Sequence, residues 1–378
     1  QIRKAGRRKT MQIITLPEET AIYYGALWNG IDTEIAGAGT LYTIGGLISN
    51  KPGCQAKSLD FSHLTLMPAM IDCHVHLAMP YKSSDSLAAR INKILMAGVA
   101  AVREAGSRNE TFFSDPRLLI ANCCRAISKK GFYGSNLSKE VSSLPEALAE
   151  INRLASQGAQ HLKLITSDIF SFSQYGKTGP LPFSQSELTA MTELAKKLGL
   201  AVMAHASGDE AVRRCIEAGV NSIEHGYFML EETLPELIKH DIAWVPTLTP
   251  VAVHLSNPHL CSLLSPAEKN TISRSLERQI EMVGLGGALG IRIGAGTDAG
   301  GKGVPHGSSL VKEIELLRQA GLPNAQVLKA ATSEAAKICA FANLGVIQPG
   351  YRALLLAVRG NPLIQPEILA QPEALLLN

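Results

Sequence analysis

Met67-Pro-Ala-Met-Ile-Asp-Cys-His74-Val-His76-Leu77 runs an apolar segment straight into a His-x-His pair. On an extended strand, residues two apart face the same side, so both imidazoles point into one volume. Two neutral imidazoles on a rigid strand suit a borderline metal such as zinc. Alone the pair is only a hint, because ordinary histidines also occur at strand ends.

Four other segments repeat the arrangement. Ala201-Val-Met-Ala-His205 and Ser222-Ile-Glu-His225 each end a strand-like run in a histidine, and Ile291-Arg-Ile-Gly-Ala-Gly-Thr-Asp298-Ala-Gly ends one in an aspartate within a Gly-rich turn. Gln160-His-Leu-Lys163-Leu-Ile sets a lysine inside an apolar strand, where an unpaired ammonium is expensive. A capping Asp, a satisfied core His or a snorkelling Lys would explain any one of these. Their joint occurrence at successive strand ends is harder to explain that way.

The rest of the chain supplies the scaffold these positions need. Strand-like runs at 64–71, 98–103, 118–127, 161–165, 201–205, 222–224, 242–245 and 291–294 alternate with amphipathic helix-like segments. Eight such strands predict a parallel α/β barrel, with its site at the C-terminal ends of the strands. Helices are predicted at 184–198, where Ser184 and Glu187 have capping-box spacing, and at 305–320. Short β-like runs broken by Gly occur at 22–28 and 40–48, and again at 353–358, so both ends of the chain are expected to share one small sheet domain.

Composition narrows the class. The 378 residues suffice for one barrel of about 250 residues plus a small second domain. Apolar residues are 46%, charged residues 18% and the net charge is +3 with the signs scattered, which excludes a disordered chain and argues against a nucleic-acid partner. The seven cysteines form no C-x-x-C pair and read as free thiols of a reducing compartment. The basic run Gln1-Ile-Arg-Lys-Ala-Gly-Arg-Arg-Lys9 leads into no signal-peptide core, and no stretch is long and apolar enough to span a bilayer. The expectation is a cytoplasmic protein whose start is Met11 or lies upstream of Gln1, with no membrane partner.

The sequence resembles the amidohydrolase superfamily, and within it the imidazolonepropionase-related branch that includes Xaa-Pro dipeptidases and zinc carboxypeptidases. The resemblance rests on Pro68-Ala-Met-Ile-Asp-Cys-His-Val-His, Gly98-Val-Ala-Ala-Val-Arg-Glu, Gly158-Ala-Gln-His-Leu-Lys, His205-Ala-Ser-Gly, Ala218-Gly-Val-Asn-Ser-Ile-Glu-His-Gly and Gly296-Thr-Asp-Ala-Gly. Glu313-Ile-Glu-Leu-Leu, Ala330-Ala-Thr-Ser-Glu-Ala-Ala-Lys and Gln348-Pro-Gly-Tyr extend it to about residue 362.

The resemblance implies a distorted (β/α)8 barrel over 64–344, with 1–63 and 345–378 forming one small β-sandwich. It also implies two divalent metal ions, zinc being the expected one. His74 and His76 would bind the more buried ion and His205 and His225 the more exposed one. Lys163, carboxylated by carbon dioxide, would bridge them as a carbamate, and Asp298 would be both ligand and general base. Four positions depart from the family pattern: Ala69 after Pro68, Glu104 after Arg103, Ser167-Asp168-Ile169 after the lysine strand, and Leu354-Leu355 near the end. None is a proposed ligand, but Ser167-Asp168-Ile169 borders the substrate pocket.

The expected reaction is hydrolysis of a C–N bond in a small molecule, with a dipeptide or N-acyl amino acid as the leading substrate. Its rivals are a mononuclear cyclic-amide hydrolase or heterocycle deaminase, which would not need Lys163, and a non-catalytic relative, which should have lost ligands. Tyr227 and His306 are equally well read as pocket-lining or as ordinary loop and helix-start residues. His254 and His259 read as surface-loop residues and Cys73 as packing; Arg103 reads as the partner of Glu104 or another nearby acid in preference to a ligand for a substrate carboxylate. Homo-oligomerisation stays open.

Overall fold

The computed structural model describes residues 11–78, 85–107 and 111–378. The basic run at 1–9 lies outside the described residues. The fold is mixed α/β, with two parallel sheets and one mixed sheet.

In the three-stranded parallel sheet, Met70–Val75 pairs with Val99–Glu104, which pairs with Leu119–Ala121. The six-stranded parallel sheet has the order Ser138–Val141, Ala126–Lys129, His161–Ile165, Ala201–Ala206, Ser222–His225, Ala243–Val245. Most of these strands are buried along nearly their whole length, which explains why they read as continuous apolar runs rather than alternating ones.

Two backbone links join the six-stranded sheet to the three-stranded one. Trp244 N donates to Arg292 O and Gly294 N to Trp244 O, both at 2.9 Å, and the same segment continues to Cys73 N→Ala295 O at 2.9 Å and His76 N→Ala299 O at 2.7 Å. A second link runs to the third strand of the six-stranded sheet, where Gln160 N, just before His161–Ile165, donates to Asn122 O at 2.8 Å.

The mixed seven-stranded sheet draws on both chain ends. Its order is Gln12–Thr15, Ala374–Leu377, Leu355–Val358, Lys57–Pro68, Glu19–Leu27, Gly39–Ile44, Leu47–Ser49. It has its own apolar core, including Ile22, Phe61, Leu66, Leu355 and Leu376.

Three expected strands differ in the structure. The run at 64–71 is divided at Ala69: Lys57–Pro68 belongs to the mixed sheet and Met70–Val75 to the parallel one. At that point the chain changes neighbours, as Ala69 N donates to Leu354 O but Met70 N to Gly98 O. The run at 118–127 breaks into Leu119–Ala121 and Ala126–Lys129, because Cys124 takes a left-handed φ of 66° and the Asn122 side chain binds both backbone polar groups of Phe113. The run at 291–294 makes a single bridge, Trp244↔Ile293, where Gly294 packs against Ile338 and Cys73. His254 and His259 lie in the short helices Thr249–Ser256 and Pro258–Ser262 rather than in a loop.

The helix Gln185–Lys197 begins at Ser184 with both capping-box bonds made. The helix expected at 305–320 spans Ser308–Gln319 and carries a buried carboxylate, Glu313. Glu313 accepts from Leu248 N at 2.9 Å, Thr249 N at 2.8 Å and Thr249 Oγ1 at 2.7 Å, and so caps the Thr249–Ser256 helix from across the fold. Glu313→Ala would orphan two buried N–H groups worth about 1–3 kcal/mol each, a loss of roughly 2–6 kcal/mol. Urea unfolding measures this, and a change below about 1 kcal/mol would show that other groups satisfy these donors. Among the described residues no helix is long and apolar enough to cross a membrane.

Candidate metal centre

His74 and His76 sit at the end of the first parallel strand, two residues apart and both buried. Each ring is held from behind. His74 Nδ1 lies 2.7 Å from Glu224 Oε2, and His76 Nδ1 lies 2.7 Å from the Gly106 carbonyl oxygen. A carbonyl oxygen can only accept, so His76 donates from Nδ1 and turns Nε2 toward the site. Asp298 Oδ1 is 3.0 Å from His76 Nε2 and 3.4 Å from His74 Nε2. One ligand atom from each of the three residues lies within 4.8 Å of the others. His74 Nε2 is buried without a hydrogen bond among the described residues, which is the condition of an atom shaped to bind something else.

His225 and His205 extend the cluster. The His225 ring centroid is 5.1 Å from that of His74 and 4.6 Å from that of His205. His225 Nδ1 is 2.5 Å from Thr247 Oγ1, whose own proton goes to Pro246 O, so this ring too donates from Nδ1. His205 Nε2 lies 3.5 Å from the Asp168 carbonyl.

Left-handed backbone recurs at the site. His225 (φ 67°), Thr247 (φ 46°) and Asp298 (φ 56°) all adopt left-handed conformations. The turn at His225 is held by Trp244 Nε1 and Gln279 Nε2, which both donate to its carbonyl. It lets Glu224 and His225, neighbours in sequence, both serve the interior. The glycines around Asp298 have a steric reason. A Cβ on Gly296 would lie 2.9 Å from His74 Cβ, and one on Gly300 2.2 Å from His76 O.

Burial sets the protonation states. It drives His74 and His225 well below the ordinary histidine range and His205 to about 3, with nearby Lys163 adding to each effect, so these rings stay neutral. For His76, burial is outweighed by Asp298, and the net shift is upward. Burial would raise Asp298, but the His76 hydrogen bond and the neighbouring positive groups bring it down to about 2, so it stays ionised. Lys163 is 1% exposed, and its amine has no hydrogen bond or ion pair among the described residues. Burial lowers it to about 8.

Of the two residues weighed for substrate contact, Tyr227 is buried, stacks on Phe170 at 4.6 Å and leaves its hydroxyl without a partner among the described residues. His306 Nε2 lies 3.1 Å from the His76 carbonyl and braces the loop after the first strand. Cys73 packs in the core, and Arg103 pairs with Glu224 at 2.8 Å rather than with its neighbour Glu104. Glu224, Thr247 and the Gly106 carbonyl were not singled out in the sequence. The signal that points to Glu224 is Arg103: an arginine in an apolar strand needs a carboxylate on a nearby strand, and Ser222-Ile-Glu224-His225 carries one.

The chain is 28% identical to an uncharacterized protein of Mycobacterium tuberculosis over 96% of its own length and 92% of the other. In fold it is similar to a Xaa-Pro dipeptidase with methionine bound in its active site, with TM-score 0.77 and 23% identity over 94% of this chain and 97% of that one. It is similar also to a prolidase complexed with N-methylphosphonate-L-proline, with TM-score 0.77 and 22% identity over 95% and 98%. A buried histidine cluster at the ends of parallel strands, flanked by an ionised aspartate, is thus set in a fold shared with hydrolases. Residues 65–375 match the model of the Amidohydrolase family, and the chain belongs to that family.

Proposed function

We propose that this protein is a metal-dependent hydrolase that cleaves the amide C–N bond of a dipeptide or N-acyl amino acid. The observation that carries the reading is the convergence of His74, His76 and Asp298 ligand atoms within 4.8 Å, with His74 Nε2 buried and unsatisfied. The donor set of neutral imidazoles and one carboxylate fits a borderline divalent ion such as zinc. In this reading His74, His76, His205, His225 and Asp298 would be ligands, and Lys163, as a carbamate, would be shared between two ions. In the same reading the two parallel sheets, joined by two backbone links, belong to one (β/α)8 barrel over 64–344, with the chain ends as its companion domain.

A divalent ion held here would polarise the substrate carbonyl and make water a nucleophile at neutral pH. Asp298, ionised and facing both His74 and His76, accepts a proton and returns it to the leaving nitrogen. Tyr227 offers its unpaired hydroxyl to a substrate oxygen, and His306 lines the mouth beside the first strand. A mononuclear centre opening a cyclic amide is the second reading, since the convergent atoms of His74, His76 and Asp298 would suffice to hold one ion.

Small dipeptides and N-acyl amino acids should be cleaved, and phosphorylated or nucleic-acid substrates should not. A substrate library assayed with zinc-loaded protein tests this. Heterocycle deamination without amide hydrolysis anywhere in the library would refute the proposal.

A further inference from the structure

We propose that the buried Arg103–Glu224 pair selects the tautomer of His74, which makes Glu224 a positioning residue for the metal centre. Glu224 is fully buried, and its two carboxylate oxygens are differently engaged. Oε1 accepts from Arg103 Nη2 at 2.8 Å and from Ser222 Oγ at 2.6 Å, while Oε2 faces His74 Nδ1 at 2.7 Å. Arg103 is itself fixed, donating from Nε to the Cys73 carbonyl at 2.8 Å and from Nη1 to Ser222 Oγ at 3.0 Å. The guanidinium thus braces three strands and holds the carboxylate against the back of the imidazole.

An ionised carboxylate only accepts hydrogen bonds, so it requires the proton of neutral His74 to be on Nδ1. That leaves the lone pair on Nε2, the atom that is buried without a hydrogen bond and points toward Asp298. Carboxylates behind ligating histidines fix tautomer and ring orientation in this way.

The arrangement makes Glu224→Gln more than a loss of charge. Arg103 and Ser222 both donate toward the Oε1 position, so the glutamine carbonyl must occupy it. The amide NH2 then faces His74 Nδ1, which must become an acceptor, and the ring proton moves to Nε2. The substitution therefore reverses the tautomer and blocks the site-facing nitrogen. In Glu224→Gln with Arg103→Met, only Ser222 remains, and its hydroxyl can accept as well as donate. The amide is then free to turn its oxygen to His74 and restore the original tautomer.

The importance of the tautomer rests on His74 being a metal ligand, whereas its identity does not, and the experiment separates the two. In 15N-labelled full-length protein stripped of metal, the ring nitrogens of His74 should report Nδ1–H in the wild type and Nε2–H in Glu224→Gln. Zinc affinity, measured by chelator competition, should fall about 10–100-fold in Glu224→Gln. The double variant, which removes the two buried charges together, should regain the Nδ1–H form and most of the lost affinity. An Nε2–H wild type, unchanged affinity in Glu224→Gln, or a folded double variant as weak as the single one would each overturn the proposal. If Glu224→Gln does not fold, the wild type and the double variant decide it. A wild type that carries Nδ1–H but binds no zinc would refute the metal-dependent function while leaving the tautomer assignment standing.

Discussion

Asp298→Asn is expected to lower kcat by about 10²–10⁴-fold, the usual contribution of a positioned general base, while metal content stays close to wild type. The substitution suits the site because it changes little else. Asp298 sits at a left-handed φ of 56°, which asparagine tolerates better than other uncharged residues with a side chain. Its backbone N–H donates to the His74 carbonyl at 2.8 Å, so the turn is held independently of the side chain. An amide in the same place can still offer its oxygen to a cation, yet it cannot take up a proton. Turnover on the best library substrate and metal content by elemental analysis, measured on the same preparation, give the answer. Wild-type kcat in the variant would remove Asp298 from the proton-transfer role.

For Lys163→Ala the expected result is loss of bound metal, from two ions to one or fewer, with kcat down by about 10²-fold or more, the scale of losing an electrostatic stabiliser. The amine is buried on the His161–Ile165 strand and unpartnered among the described residues, and Asp168, the salt-bridge partner that would have drawn it away, instead accepts from Ile169 N. Burial lowers Lys163 to about 8, which raises the fraction of neutral amine, the form that reacts with carbon dioxide. In the proposed bridge the product would be an anion with two oxygens, and it would replace the positive charge that repels cations. Added short-chain carboxylic acids should partly restore both stoichiometry and activity in the variant. Unchanged metal content and turnover in Lys163→Ala would reject the bridge and favour the mononuclear centre.

Much of this molecule was legible in its sequence, because the signals were local. His-x-His on a strand, a capping box at Ser184 and glycines around Asp298 follow from periodicity and backbone geometry over a few residues. Strand ends gathered at one edge of parallel sheets bring His74, His76 and Asp298 together, which is why their order along the chain was informative.

The tertiary structure decided what depends on neighbours distant in sequence. The run at 64–71 became two strands because its hydrogen-bond partners change between Ala69 and Met70, which no local pattern records. Arg103 could not pair with the adjacent Glu104, since neighbouring residues on a strand face opposite sides, and it found Glu224 instead. Glu224 supports His74 across 150 residues of chain, and His225 shares its face only because its backbone turns left-handed. The sequence by itself determined which side chains are chemically equipped to bind a metal. Only the packing of strands against one another decided which nitrogen of each ring faces the site, because that depends on what lies behind the ring.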